Sequence, residues 1–257
     1  MKEGKNHRRL TIVTWLVIFL VWYVITEFGL VSHLIIPSPK EVLNTFIDIV
    51  KNGYNGIPFW KHLGISLLRL FLASGLAIVT AVPLGLLSGY FKKVGAIVDS
   101  IVQFYRPLPP LAYYIVLILW LGIGESSKVT LLFLAAFAPI YIACVSAVKN
   151  IQLEYLLSAQ SLGAKGKDLF YRIVVPACLP DIFTSIRTAV GVAYTTLVSA
   201  EMIAATSGVG WMVLDASRYL KSSVIFVGII VMGITGVLID LGLRIIENKI
   251  IFWKGYQ

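Results

Sequence analysis

Charged residues are scarce in this chain: only 14% of its 257 residues are Asp, Glu, Lys or Arg, against 58% hydrophobic ones. The mean hydropathy is +0.86. A soluble domain of this length needs a polar surface that such a composition does not supply, so the chain is read as an integral membrane protein. Cysteine is nearly absent. Cys144 and Cys178 both fall in or beside apolar runs, which disfavours a disulfide framework or a metal site and leaves them as small packing residues. His7, His33 and His62 are scattered through a tail and span edges, where solvated histidines are expected. There is no HExxH, no GxSxG and no Cys/His cluster, so no catalytic residue and no metal ligand is assigned. Gly166-Lys167 has the look of a phosphate loop, but Ser161 stands where the first glycine belongs and Asp168 where Ser or Thr is required. ATP is therefore not bound by that device, and the expectation is that this chain carries no cofactor. The first apolar stretch is long and lacks a small-residue cleavage site, so it is not read as a cleavable signal.

What is present is a series of apolar runs near the ~20 residues needed to cross a bilayer. Six spans are expected, over about 10–31, 63–90, a short one from the break Arg106-Pro107-Leu108-Pro109-Pro110 to Gly122-Ile123-Gly124, then 129–148, 179–203 and 224–246. The third is too short to cross alone, so the proline-rich stretch is expected to lie partly at membrane depth, packed against protein. Pro83 with Gly85, and Pro139, are candidate bends or packing kinks inside their spans. The domain reading is a basic tail (1–9) followed by a single transmembrane domain (10–257).

The formal charge of +9 is unevenly spread. Lys2, Lys5, Arg8 and Arg9, Lys92, Lys93 and Arg106, Lys149, Lys165, Lys167 and Arg172, and Arg244, Lys249 and Lys254 share one side of this topology. Lys40, Lys51, Lys61, Lys128, Arg218 and Lys221 fall on the other. The richer side is the cytoplasmic one by the positive-inside rule, which places both termini there and accounts for the basic excess without a nucleic-acid partner. On the outer side, residues 35–61 form a connection in which Ser38-Pro39-Lys40-Glu41 reads as a capping box with proline at the first helical position. Val42, Leu43, Phe46, Ile47 and Val50 then share a helical face suited to the membrane interface or to an external partner.

Polar groups inside spans are costly and often functional. In the fifth span Arg187 and Glu201 are separated by about 21 Å at ~1.5 Å per residue, too far to pair with each other. Tyr194, Thr195 and Thr196 lie between them. These five residues are either a translocation path facing a second subunit or helix-packing glue. Asp240 and Arg244, at i and i+4, suggest a local ion pair.

The polar interruption at 150–176, NIQLEYLLSAQSLGAKGKDLFYRIVVP, is the remaining feature. Helix formers run from Glu154 to Leu162, Gly163 sits where a helix ends in a left-handed residue, and a second short helix over 165–174 is expected to stop at Pro176. On pattern alone this is either a connection or a docking element. Ser158-Ala159, Gly163 and Ile173-x-Val175-Pro176 resemble the cytoplasmic signature of binding-protein-dependent ABC importer permeases: Glu-Ala-Ala, three residues, Gly, nine residues, Ile-x-Leu-Pro. Leu157 stands in place of the usual Glu, and Val175 in place of Leu. The resemblance extends over nearly all the chain from Pro37. YRPLPPLAYYIVLILWLGIGESSKVTLLFLAAFAPI (105–140), AQSLGAK (159–165) and LVSAEMIAATSGVGWMV (197–213) are similar to the taurine, sulfonate and nitrate branch, above all to its taurine permeases.

That resemblance implies an all-α type I importer permease fold whose loop at 150–176 is the coupling helix, with Leu157, Ser158, Ala159, Gly163, Ala164, Ile173 and Pro176 at the contact with an ATPase. It implies a homodimer in the bacterial inner membrane, two cytoplasmic ATP-binding subunits that hold ATP and Mg, and an external solute-binding protein. ATP binding then drives the coupling loops together, and the spans switch from inward- to outward-facing. Taurine is the first expected substrate, with other sulfonates, nitrate or aromatic carboxylates as alternatives. A secondary transporter or channel is the alternative of another class. It calls for ion-coupling carboxylates or inverted repeats, and only Glu201 qualifies.

Overall fold

The computed structural model describes residues 2–251, with side-chain environments from Arg9 onward. Lys254, assigned above to the basic side, lies outside the described residues. The described chain is helical throughout: α1 (Lys2–Glu27), α2 (Pro39–Asn52), α3 (Phe59–Tyr90), α4 (Lys92–Tyr105), α5 (Pro110–Leu121), α6 (Glu125–Lys149), α7 (Leu153–Ser161), α8 (Gly166–Leu169), a π-turn (Phe170–Val174), α9 (Val175–Ala204), α10 (Val209–Arg218) and α11 (Ser222–Ile250). Five helical stretches are long and apolar enough to cross a membrane, namely 9–27, 59–90, 125–149, 166–204 and 222–250. The pair α4 and α5, bent by 101° at its break, makes a sixth if taken as one crossing. The bend falls at the proline-rich stretch. Pro110 opens α5, and the extended backbone of Pro109 before it (ψ 130°) cannot continue the α4 helix. At twelve residues, α5 is about 18 Å long, well short of the ~30 Å core.

The chain divides into two compact units, Met1–Leu63 with Ser207–Gly233, and Gly64–Thr206 with Ile234–Gln257. In the first, the capping box forms as expected. Ser38 Oγ accepts from Glu41 N at 3.2 Å, and Glu41 Oε2 accepts from Ser38 N at 2.9 Å. The expected apolar face of α2 is divided. Val42, Phe46, Ile49 and Val50 pack with Tyr54, Phe59, Met212 and Val227, while Leu43 and Ile47 stay exposed. A face suited to the membrane interface or an external partner is thus partly a protein core, because α10 and α11 supply apolar partners the sequence could not align with it. His62 corrects an expectation too. It is buried, stacks on Trp211 with centroids 5.6 Å apart, and accepts at Nδ1 from Gly208 N at 3.1 Å. Tyr54 donates to Asp215 at 2.8 Å, and burial beside that carboxylate pushes its phenol above the usual range.

In the second unit, Leu70, Ala73, Ala77 and Ala81 line one side of α3, and Ala189, Ala193 and Ala200 one side of α9. Small side chains let membrane helices approach closely, so packing replaces the hydrophobic drive that lipid removes. Cys144 and Cys178 are free thiols buried in this core. The closest approach is at Gly85, where a Cβ would lie 2.6 Å from Cys144 Cβ and 2.8 Å from the Tyr141 carbonyl. Helices α3 and α6 run through Pro83 and Pro139 without a break.

Two outcomes follow from this packing. Gly85→Ala will lower the thermal stability of the detergent-purified protein by about 1–3 kcal/mol through overpacking, whereas Gly75→Ala, where a Cβ meets nothing within 4 Å, will not. Glu41 is held below the ordinary carboxylate range, first by the Ser38 backbone N–H and then by His33. Its contribution to α2 is therefore present above the unfolded-state pKa and is lost as pH falls through the lower folded value. Glu41→Gln will remove that acid-side loss in circular dichroism of the purified protein.

Candidate functional site

The segment between α6 and α9 is built from its turn outward. Helix α7 ends with a Schellman-type closure. Gly163 N donates to Gln160 O at 2.9 Å and Ala164 N to Ala159 O at 3.0 Å. Gly163 has φ +93°, in the region that favours glycine, and a Cβ there would meet nothing within 4 Å. Glycine is needed for its backbone, not for space. The turn tethers the segment through one side and displays the other. Ala159, Leu169 and Val174 are buried, whereas Ser158, Gly163 and Leu157 are exposed, with Leu162 at 90% and Tyr155 at 57%. Ala164, Ile173 and Pro176 are half-buried. Exposed apolar side chains on a polar connecting segment form a surface without a partner among the described residues.

The expected stop at Pro176 is a correction. Helix α8 is one turn, and the chain continues through the π-turn directly into α9, where Pro176 sits in the first turn. Val175 N donates back to Phe170 O. This widened turn eases the clash that a proline ring makes with the carbonyl four residues earlier, and Pro176 lacks a donor where a helix start needs none.

The intramembrane candidates separate into two places. Arg187 on α9 donates to Asp240 at 2.9 Å and to Glu247 at 3.1 Å, both on α11. The i,i+4 contact between Arg244 and Asp240 exists at 3.7 Å, but Arg187 is the nearer partner. Thr195 and Thr196 both donate to the Val192 carbonyl, at 2.9 and 2.8 Å, so their hydroxyls are satisfied within α9. Tyr194 is half-buried, its ring facing Gly236.

Glu201 belongs to a different cluster, which residue-by-residue reading missed. Its carboxylate is 1% exposed and accepts from Arg69 Nη1 at 2.7 Å and from Ser66 Oγ at 2.7 Å. Arg69 is 3% exposed and turns its other edge to Glu125, with Nη2 to Oε1 at 2.6 Å and Nε to Oε2 at 2.5 Å. Lys128, also buried, donates to the Gly124 carbonyl at 3.0 Å and reaches Glu125 at 3.4 Å. Ser66 and Arg69 share a face of α3 at i,i+3, as do Glu125 and Lys128 on α6. The signal available in the sequence was an arginine and a glutamate of opposite charge at the same ends of two apolar runs.

Two cations meet two carboxylates, so the cluster is formally neutral. Removing one member of such a pair leaves an uncompensated buried charge and costs about 3–5 kcal/mol. Glu201→Ala will destabilise the protein by that order in thermal unfolding, while Arg69→Met with Glu201→Met will recover most of the loss.

Residues 81–252 match the model of the binding-protein-dependent transport system inner membrane component family. Among curated proteins, the chain is 39% identical to the taurine transport system permease protein TauC of Escherichia coli over 96% of this chain and 90% of that one. It is 33% identical to the putative aliphatic sulfonates transport permease protein SsuC of Bacillus subtilis over 93% and 85%. It is 30% identical to the nitrate import permease protein NrtB of Synechocystis over 91% and 86%. Multiple apolar spans, an exposed polar-flanked turn and full-length similarity converge: the chain is a multi-pass inner-membrane protein and belongs to the permease components of binding-protein-dependent ABC transport systems, in the branch that holds the taurine, sulfonate and nitrate permeases.

Proposed function

We propose that this chain is the permease subunit of an ATP-driven importer for a small organosulfonate, taurine first. It forms a homodimer, receives substrate from an external solute-binding protein, and keeps both termini and the 150–176 segment in the cytoplasm. The observation that carries the coupling role is the Gly163 turn, with Leu157 and Leu162 exposed beside it and nothing among the described residues covering them. Such a surface suits a groove on a soluble ATPase subunit, which binds ATP with Mg. Leu157, Ser158, Ala159, Gly163 and Ala164 form the docking end, and Ile173 and Pro176 connect it to α9. A push on α7 and α8 therefore reaches α9 through one continuous backbone. The dimer's two states differ in how they present this surface, and the ATPase biases them by binding one better.

The substrate reading rests on the likeness to the taurine permease over almost the whole chain. A sulfonate is anionic at neutral pH, so its route calls for cationic or hydroxyl groups. Arg187, Tyr194, Thr195, Thr196 and Glu201 were the first candidates. Of these, Arg187 and Glu201 are each ion-paired, which makes them gates or structural posts in preference to open contacts.

Proteoliposomes holding this chain, its ATPase and its solute-binding protein will take up taurine only with ATP inside. Uptake driven by an ion gradient without ATP would overturn the importer reading. Gly163→Asp forces a side chain into a left-handed residue at about 1–2 kcal/mol and adds charge to the docking end. It will abolish binding-protein-stimulated ATPase activity and uptake together. Intact stimulation in that variant would remove the docking role.

A further inference from the structure

Arg69 is held asymmetrically. Its partner Glu201 is sealed at 1% exposure, whereas Glu125, bound to the opposite edge of the guanidinium through two hydrogen bonds, has a side chain 61% exposed. Glu125 thus reaches a buried cation from the accessible side. It is the first residue of α6 and follows Gly122 and Gly124, around which there is open space and where Gly122 has φ +81°. With a side chain mostly exposed, its carboxylate has room to swing out by side-chain rotation while α6 stays in place.

We propose that Arg69 is the residue that takes the sulfonate of the substrate, that Glu125 occupies that place in the present structure, and that the displaced Glu125 carboxylate then meets the substrate's ammonium. This inference rests on the sulfonate-importer reading. The charge balance favours exchange over addition. With Glu125 seated, Arg69 and Lys128 are matched by Glu125 and Glu201. With Glu125 swung out, the buried group is one cation in excess, and an arriving sulfonate restores neutrality. Two sulfonate oxygens reproduce the fork that two carboxylate oxygens now fill. In an aminoalkylsulfonate the ammonium lies two carbons from the sulfur, within reach of a flexible glutamate anchored beside the same arginine. Glu201 and Ser66 are positioning residues, keeping the guanidinium aimed as Glu125 leaves. The pair selects a zwitterion over a plain anion, because only the former gives both Arg69 and Glu125 a partner.

The test is equilibrium binding of radiolabelled taurine and ethanesulfonate to the purified permease–ATPase complex in nanodiscs, without the binding protein. Glu125→Gln removes the internal competitor and will tighten ethanesulfonate binding about tenfold. Taurine will gain less because its ammonium loses its partner, so the preference for taurine falls. Glu125→Asp shortens the reach to Arg69 but keeps the charge, and will tighten both ligands while retaining the preference. Adding Arg69→Lys, which keeps the cation for Glu201 but loses the fork, will abolish the gain. A purely structural cluster predicts that Glu125→Gln leaves the taurine-to-ethanesulfonate ratio unchanged, and that outcome overturns the proposal. Taurine uptake by the wild-type complex with its binding protein separates the two readings. Uptake with an unchanged ratio overturns this inference alone, whereas a wild-type complex that imports no sulfonate overturns the importer reading and this inference with it.

Discussion

The second compact unit depends on how one arginine is accommodated among apolar helices. A guanidinium that is 3% exposed on α3 is tolerable only with carboxylates against both of its edges. Glu201 comes from α9 and Glu125 from α6, so the requirement of a single charge ties three helices in one register. The surrounding packing is otherwise undemanding. Alanines at 73, 77 and 81 and at 189, 193 and 200 allow close approach but select few rotations of one helix against another. Charge pairing supplies the specificity that small apolar faces lack.

The arginine within α9 shows the same physics with a different outcome. Arg187 is about a fifth exposed and meets Asp240, itself about half exposed, and the buried Glu247. It joins α9 to α11, as Arg69 joins α3 to α6 and α9. Arg187 and Glu201 are therefore attachment points of α9 to different neighbours, and Thr195 and Thr196 between them are turned to their own backbone.

The segment between α6 and α9 is organised by backbone chemistry instead. A left-handed glycine ends α7, and a π-turn starts α9 at Pro176. The glycine turn separates α7 from α8, and the π-turn carries α8 directly into α9. Helix α8, the π-turn and α9 follow one another without a break in the regular backbone.

Much of this was legible in the sequence because it is local. Span number and approximate bounds follow from apolar length, the cap of α2 from Ser38 and Glu41, and the turn at Gly163 from the need for a positive φ. The signature spacing around Gly163 carried the family. Local rules failed where two distant segments had to meet. The burial of His62 under Trp211, the division of the α2 face, and the pairing of Arg69 with Glu125 and Glu201 all depend on neighbours that periodicity cannot name. Arginines and glutamates inside apolar runs already require charges in the membrane and their neutralisation, since the cost of an unpaired one is independent of fold. Only the tertiary structure decided which carboxylate neutralises which arginine, because that choice rests on helix rotation and depth, set by packing across the whole unit.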